Sequence, residues 1–179
     1  MSTRVGYAAG AFDLFHIGHL NILRQAKSQC DFLVAGVVSD ELCLATKGRR
    51  PVVPLVERLE IVSSINFVDR AVAETHTDRL DTWKEVGFDV FFKGDDWRGT
   101  PKGIRMERSL AEVGVEVIYF PYTAHTSSTA LRRALEAIVA SAQRELVRPP
   151  TVLFRADSPV STAGRAHPSS GGRREQHSG

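Results

Sequence analysis

"GAFDLFHIGHL", residues 10–20, stands where one hydrophobic pattern gives way to another. The run before it, "RVGYAAG" (4–10), is apolar or small almost throughout and reads as a strand buried on both faces. The run after it, "GHLNILRQAKSQ" (18–29), sets Leu20, Leu23 and Ala26 on one side of a helix. The quoted stretch therefore leaves the carboxyl end of a strand and enters a helix. It carries His16 and His19, three apart, around Gly18.

The alternation repeats outward from there. "DFLVAGVVS" (31–39) is a second strand, and residues 40–56, rich in basic residues and proline, read as a loop. "ERLEIVSSINF" (57–67) spaces Leu59, Val62 and Ile65 for a helix, and "RAVAE" (70–74) is a short strand. "DRLDTWKEVG" (78–87) is helical, with Asp78 as candidate N-cap and Gly87 to end it. A strand (88–94), a helix (102–114), a strand (115–121) and a last helix (127–146) follow. Strands and helices alternating with short links predict an α/β fold: a Rossmann-like, doubly wound, parallel five-stranded sheet with helices on both faces. Such sheets bind ligands at the carboxyl ends of their strands, where strand order reverses. The quoted stretch lies at that end. "RPP" (148–150) stops the last helix, so one domain is expected over 1–147. The tail, 148–179, is expected to be largely disordered, being rich in Ser, Gly, Pro and Arg.

The chain has 179 residues and a formal net charge of +2. Residues 151–179 carry Arg155, Arg165, Arg173 and Arg174 against Asp157 and Glu175, so the body is neutral and any anion site in it must be local. No basic face argues for nucleic acid. No apolar run approaches the roughly 18 residues of a membrane span, and the N-terminus lacks a signal-peptide pattern. A cytoplasmic protein is expected. Cys30 and Cys43 form no metal-ligand spacing and read as reduced structural thiols.

Three readings compete for the histidine pair. As metal ligands they lack further His or Cys at plausible spacing. As capping or core residues they would be structural. As anion binders they sit at a helix N-terminus, whose free N–H groups and partial positive charge favour phosphate. Gly18 permits close approach, and both imidazoles can donate hydrogen bonds and carry charge near neutral pH.

"GAFDLFHIGHL" resembles the signature of the HxGH nucleotidyltransferases, the cytidylyltransferase-like superfamily. "KGRRPVVPLVERLEIVSSINFVD" (47–69) resembles its lysine loop and ER-containing helix. "FDVFFKGDDWRG" (88–99) is similar to the fourth-strand motif of glycerol-3-phosphate cytidylyltransferases, and "YTAHTSSTALRRAL" (122–135) occupies the place of their R-T-E-G-I-S-T signature. The resemblance covers about residues 4–140. It implies a cytidylyltransferase that moves CMP from CTP to a small phosphorylated alcohol, most of all glycerol 3-phosphate. It also implies Mg2+ as the companion ion of CTP, no dedicated protein metal site, and a homodimer. A phosphate monoester is ionised near neutrality, so the reaction needs positioning and charge neutralisation more than a base.

Carried over by position, the resemblance makes His16, His19, Lys47 and Arg49 catalytic, with Arg50 competing for the place of Arg49. Ala11, Phe12, Asp13, Gly18, Asp96, Tyr122, Thr123, Ser127, Ser128 and Thr129 fall to the nucleotide, with Asp13 orienting a histidine or the turn. Asp95 and Trp97 shape the loop around Asp96. Arg58 falls to the phosphate of the second substrate, against a surface ion pair with Glu57 or Glu60. The chain departs from the family at Tyr122, where the signature has arginine, and His125 or Arg132 is left to supply that charge. Two other readings remain: an adenylyltransferase acting on a sugar phosphate or other phosphate, and a nucleotide-binding module with little catalysis.

Overall fold

The computed structural model describes residues 3–121 and 126–147. Its elements are β1 (Val5–Gly10), α1 (Ile17–Lys27), β2 (Phe32–Val38), α2 (Asp40–Lys47), α3 (Leu55–Ser63), β3 (Arg70–Glu74), α4 (Arg79–Val86), β4 (Val90–Gly94), α5 (Pro101–Glu112), β5 (Glu116–Phe120) and α6 (Ser128–Val147). A single 3-10 turn, Asp95–Trp97, follows β4. The sheet has the order β3-β2-β1-β4-β5, and every pairing is parallel. The Rossmann-like expectation is met. Strand order reverses between β1 and β4, which opens a crevice at their carboxyl ends.

Alternation along the strands fills two cores. Ala8, Leu33, Ala35, Val37, Val90 and Phe92 meet Leu23 and Ala26 of α1 and Val62 of α3 on one face. Tyr7, Ala9, Val34 and Phe91 meet Met106 and Leu110 of α5 on the other. Burial on both faces explains why the strands read as continuous apolar runs. Aspartates set the amino ends. Asp31, Asp69 and Asp89, each just before a strand, accept from the backbone N–H groups of Arg4, Leu33 and Val5 at 2.8, 2.6 and 2.7 Å.

The expected loop over 40–56 is half helix. Ser39 caps α2, its hydroxyl accepting from the Leu42 N–H at 3.1 Å, and Asp40 and Glu41 occupy the first turn. Gly48, at φ 69°, ends it in the left-handed region that glycine enters freely. These start and stop signals flank "DELCLATK", but the basic and proline-rich run behind it dominates the pattern. The expected tail, 148–179, lies outside the described residues. Among the described residues no helix is long and apolar enough to cross a membrane, and Cys30 and Cys43 are free thiols.

Two buried charges tie the layers together. Glu74 accepts from Tyr7 at 2.8 Å, from Thr82 at 3.0 Å and from Arg79 at 2.6 Å. Tyr7 reaches Glu74 across β2 at Gly36, where any Cβ would lie 1.9 Å from the phenol oxygen. Arg58, fully buried, donates to the carbonyls of Ala11, Val38 and Val53 and pairs with Asp40 at 2.5 Å. This corrects the expected role of Arg58. Its donors are engaged by the protein, it has no exposed surface, and it lies outside both cavities described below. Removing one partner of such a pair leaves a buried charge and orphaned carbonyls, at a cost of about 3–5 kcal/mol. Arg58→Met is expected to lose that much in chemical denaturation. Arg58→Lys should recover less than half of it, because an ammonium cannot span the same acceptors.

Candidate functional site

The β1–α1 turn carries the site. Phe12 and Leu14 sit at φ 49° and 48°, a left-handed region costly for side chains of this size. Asp13 between them holds the turn. Its carboxylate accepts from the N–H groups of Val52 and Val53 at 2.9 and 3.0 Å and pairs with Arg132 of α6 at 2.6 Å. Burial disfavours the Asp13 charge, but these bonds outweigh it and hold the pKa below the usual carboxylate range. Asp13 therefore positions the turn. It lines neither cavity, and Arg132 spends its charge on it.

The histidines form a connected pair. His16 is the N-cap of α1, its Nδ1 accepting from the Gly18 N–H at 3.1 Å. A neutral ring that accepts at Nδ1 carries its proton on Nε2. That Nε2 lies 3.3 Å from the Ser128 hydroxyl, which itself donates to the Asp13 carbonyl at 2.8 Å. The tautomer follows from this network. His19 stacks on His16 with ring centroids 4.0 Å apart and is flanked by Phe12 and Phe15, each at 5.4 Å. The His19 Nδ1 is buried without a hydrogen-bond partner among the described residues. Burial, with His16 and Lys47 nearby, pushes His19 down to about 3 against the opposing pull of Asp13, and burial lowers His16. Burial thus disfavours the expected charge near neutral pH at both rings of the ligand-free site.

Two cavities open at the carboxyl end of the sheet. The larger, about 630 Å3, is lined by Lys47, Asp78, Arg79, Lys93, Lys102 and Arg105 among others. The smaller, about 350 Å3, is lined by Phe12, His16, Gly18, His19 and Asp96 and by Ser127, Ser128 and Thr129 at the start of α6. They share a wall of Ala9, Gly10, Lys47 and Lys93. The N-termini of α1 and α6 both meet the smaller cavity, whose lining suits an anion. Ser127 also caps α6, its hydroxyl accepting from the Ala130 N–H at 3.1 Å.

Several expected residues fall elsewhere. Arg49 is exposed and lines neither cavity, and Arg50 pairs with Glu41 at 2.9 Å. Ala11 lines the larger cavity, not the one with the histidines, and its carbonyl is taken by Arg58. Tyr122, Thr123 and His125 lie outside the described residues. Lys93 and Arg79 were not singled out from sequence. The signal for Lys93 was a lone cation inside the apolar "FDVFFKG"; for Arg79 there was none beyond a helix start.

Among the described residues no group of three or more His, Cys, Asp and Glu side chains could hold a metal. Asp96 is the one carboxylate among the described residues lining the smaller cavity. That donor set fits a magnesium ion carried in by nucleotide phosphates, which uses few protein ligands.

A family profile described as Cytidylyltransferase-like matches residues 7–134. FAD synthase of Thermococcus sibiricus is 30% identical over 131 residues, covering 73% of this chain and 88% of that protein. Ethanolamine-phosphate cytidylyltransferase of Arabidopsis thaliana is 40% identical over 102 residues, 54% of this chain. The matched part is only 24% of that longer protein. A lipopolysaccharide core biosynthesis protein from Thermoplasma volcanium superposes with a TM-score of 0.59 at 26% identity, covering 70% of this chain and 100% of that one. Pantoate-beta-alanine ligase from Francisella tularensis, at 13% identity and a TM-score of 0.51, covers 82% of this chain and 74% of its own, and shares the fold.

Imidazole nitrogen shifts, followed by NMR in the ligand-free chain, should show both rings neutral at pH 7 and His16 protonated at Nε2. His19 is expected to resist protonation until about pH 3. Between the ordinary histidine value and that point the unfolded chain binds a proton that the native one refuses. Stability should therefore decline as pH falls through this window.

Proposed function

The chain belongs to the cytidylyltransferase-like family of nucleotidyltransferases, and on that premise we propose that it transfers CMP from CTP to a small phosphorylated alcohol, foremost glycerol 3-phosphate. One observation carries the reading. Two cavities of different lining meet at the wall of Ala9, Gly10, Lys47 and Lys93. A transfer between two substrates requires two pockets opening on one reacting centre.

The smaller cavity suits the nucleotide. Its helix N-termini and His19 offer N–H groups to phosphate oxygens, the His16 Nε2–H joins them by exchanging the Ser128 hydroxyl for a phosphate oxygen, and Ser127, Ser128 and Thr129 add hydroxyls. Asp96 is an acceptor for a ribose hydroxyl or a base amino group. Any side chain at Gly94 would lie 2.8 Å from that carboxylate. The larger cavity suits the acceptor. Lys47, Arg79, Lys93, Lys102 and Arg105 face one carboxylate there, Asp78, among the described residues. Arg79 takes the part first expected of Arg58, with buried Glu74 fixing its guanidinium.

A phosphate monoester has its second ionisation near about pH 6, so its oxygen is a ready nucleophile at neutrality. That oxygen bonds to the α-phosphorus, the bond from the α-phosphorus to the bridging oxygen breaks, and pyrophosphate leaves with the electron pair. No proton has to move. Magnesium, held by the nucleotide phosphates with Asp96 as the available carboxylate, would neutralise part of their charge. The homodimer belongs to the same proposal: Leu131, Leu135, Ile138 and Val139 are exposed along one stripe of α6, which a second copy would cover.

A second reading, adenylyl transfer from ATP to a sugar phosphate, is favoured by the size of the acceptor cavity, which has room for a ring. The relatives' names also span FAD and a cytidylyl product. Pyrophosphate release should be measured with CTP and ATP against glycerol 3-phosphate and hexose phosphates. Turnover of CTP with glycerol 3-phosphate is the expected result. Turnover of ATP alone would replace it with the second reading. Nucleotide binding without turnover of any pair would mean a binding module.

A further inference from the structure

The transfer concentrates negative charge where the two cavities meet. In the transition state the α-phosphorus is partly bonded, in line, to both the entering and the departing oxygen while charge moves onto the departing pyrophosphate. Burial disfavours charge on both histidines, and Arg49 is outside both cavities. The cationic side chains on the shared wall are Lys47 and Lys93.

Their supports differ. Lys47 is the last residue of a short helix and is exposed. Lys93 is built into the sheet: it pairs with Tyr119 of β5 in a strand whose other neighbour is β1, at the point where strand order reverses. Its ammonium lies 4.5 Å from the centroid of the Trp97 ring. The aromatic face steadies the cation without neutralising it. No hydrogen bond or ion pair engages that ammonium among the described residues. A fixed and unpaired cation is what stabilises charge that develops during a reaction, because nothing must be reorganised to use it.

We propose that Lys93 is a catalytic residue, contacting the α-phosphate and neutralising the charge that builds there as the acceptor oxygen adds and pyrophosphate departs. This rests on the nucleotidyl-transfer reading and supplies the second cation that the basic loop does not deliver. The proton stays on Lys93 throughout.

The surroundings give this role a pH signature. Lys47 from α2, Arg79 from α4 and Lys102 and Arg105 from α5 line the larger cavity with His76 and Asp78, and Asp96, His16 and His19 line the smaller one. Burial, with Arg79 and Lys47, lowers Lys93 to about 8, while Asp96 opposes the shift. The free enzyme should therefore lose kcat/KM as pH rises through about 8.

The test uses the full chain with the substrate pair found by the pyrophosphate screen. Folding is followed by Tm and nucleotide affinity by calorimetry. Lys93→Met removes the charge at similar volume. It should lower kcat by about 100-fold or more, as removal of one transition-state donor does, while the Kd for nucleotide changes at least tenfold less. Lys93→Arg should keep much of the activity and lose the alkaline decline, since guanidinium stays charged. A folded Lys93→Met enzyme with native kcat would overturn the proposal, as would equal losses in kcat and affinity. An unchanged alkaline decline in Lys93→Arg would also count against it. No turnover by the native chain with any pair overturns the transfer reading itself, and this proposal with it.

Discussion

The carboxyl end of the sheet depends on Arg58. One guanidinium takes the carbonyls at the exits of β1 and β2, a carbonyl in the segment before α3, and the carboxylate that opens α2. A parallel sheet leaves carbonyls unpaired where its strands end, and in a dry interior each must find a donor. Arg58 satisfies two of them, and the Val53 carbonyl besides, from one point, so the turn after β1 and the helix bearing Lys47 are tied to the same atom group. Asp13 does the complementary work. It gathers the N–H groups of Val52 and Val53 and the guanidinium of Arg132, binding the start of α6 to the β1–α1 turn. Both buried charges are scaffold, and their directional bonds set the distances on which a transfer reaction depends.

Within that scaffold burial lowers the pKa of both histidines, and at His19 the neighbouring His16 ring adds to the shift. Two rings stacked at 4.0 Å cannot both become cations in a poorly solvated site. Each ring is left as an oriented dipole, and His16 is oriented by the Gly18 N–H on one side and Ser128 on the other. A division of labour follows. Hydrogen-bond direction comes from the turn and the two helix N-termini, while positive charge comes from lysines and arginines carried on other elements.

The elements were readable because their signals are local. Apolar runs marked buried strands, Leu23 and Ala26 marked the inner side of α1, and Asp78 and Gly87 marked both ends of α4 as capping residues. The failure at α2 is also local: its caps were present, but the neighbouring basic and proline-rich run outweighed eight residues of helix. Arg58 was misread for a different reason. An arginine on a helix looks the same in sequence whether it faces a ligand or a buried set of carbonyls. What separates the two is where α3 packs against the ends of β1 and β2. Lys93 passed unnoticed because a strand residue is assigned to a face by its apolar neighbours, and its reach into a crevice depends on what lies beyond the strand's end.

The amino-acid sequence by itself determined the alternation of strands and helices, the parallel sheet, the place of "GAFDLFHIGHL" at the carboxyl end of the first strand, and the family. These rest on periodicity, caps and contiguous motifs, which local chain geometry translates directly into structure. Only the tertiary structure decided which charged residues are scaffold and which line the cavities. It buried Arg58 and Asp13, left Arg49 outside, and brought Lys47 and Lys93, which are 46 positions apart in the chain, to one wall. It also set the burial that lowers the pKa of both histidines. Solvation and pairing depend on every neighbour in space, and most of those neighbours are distant in sequence.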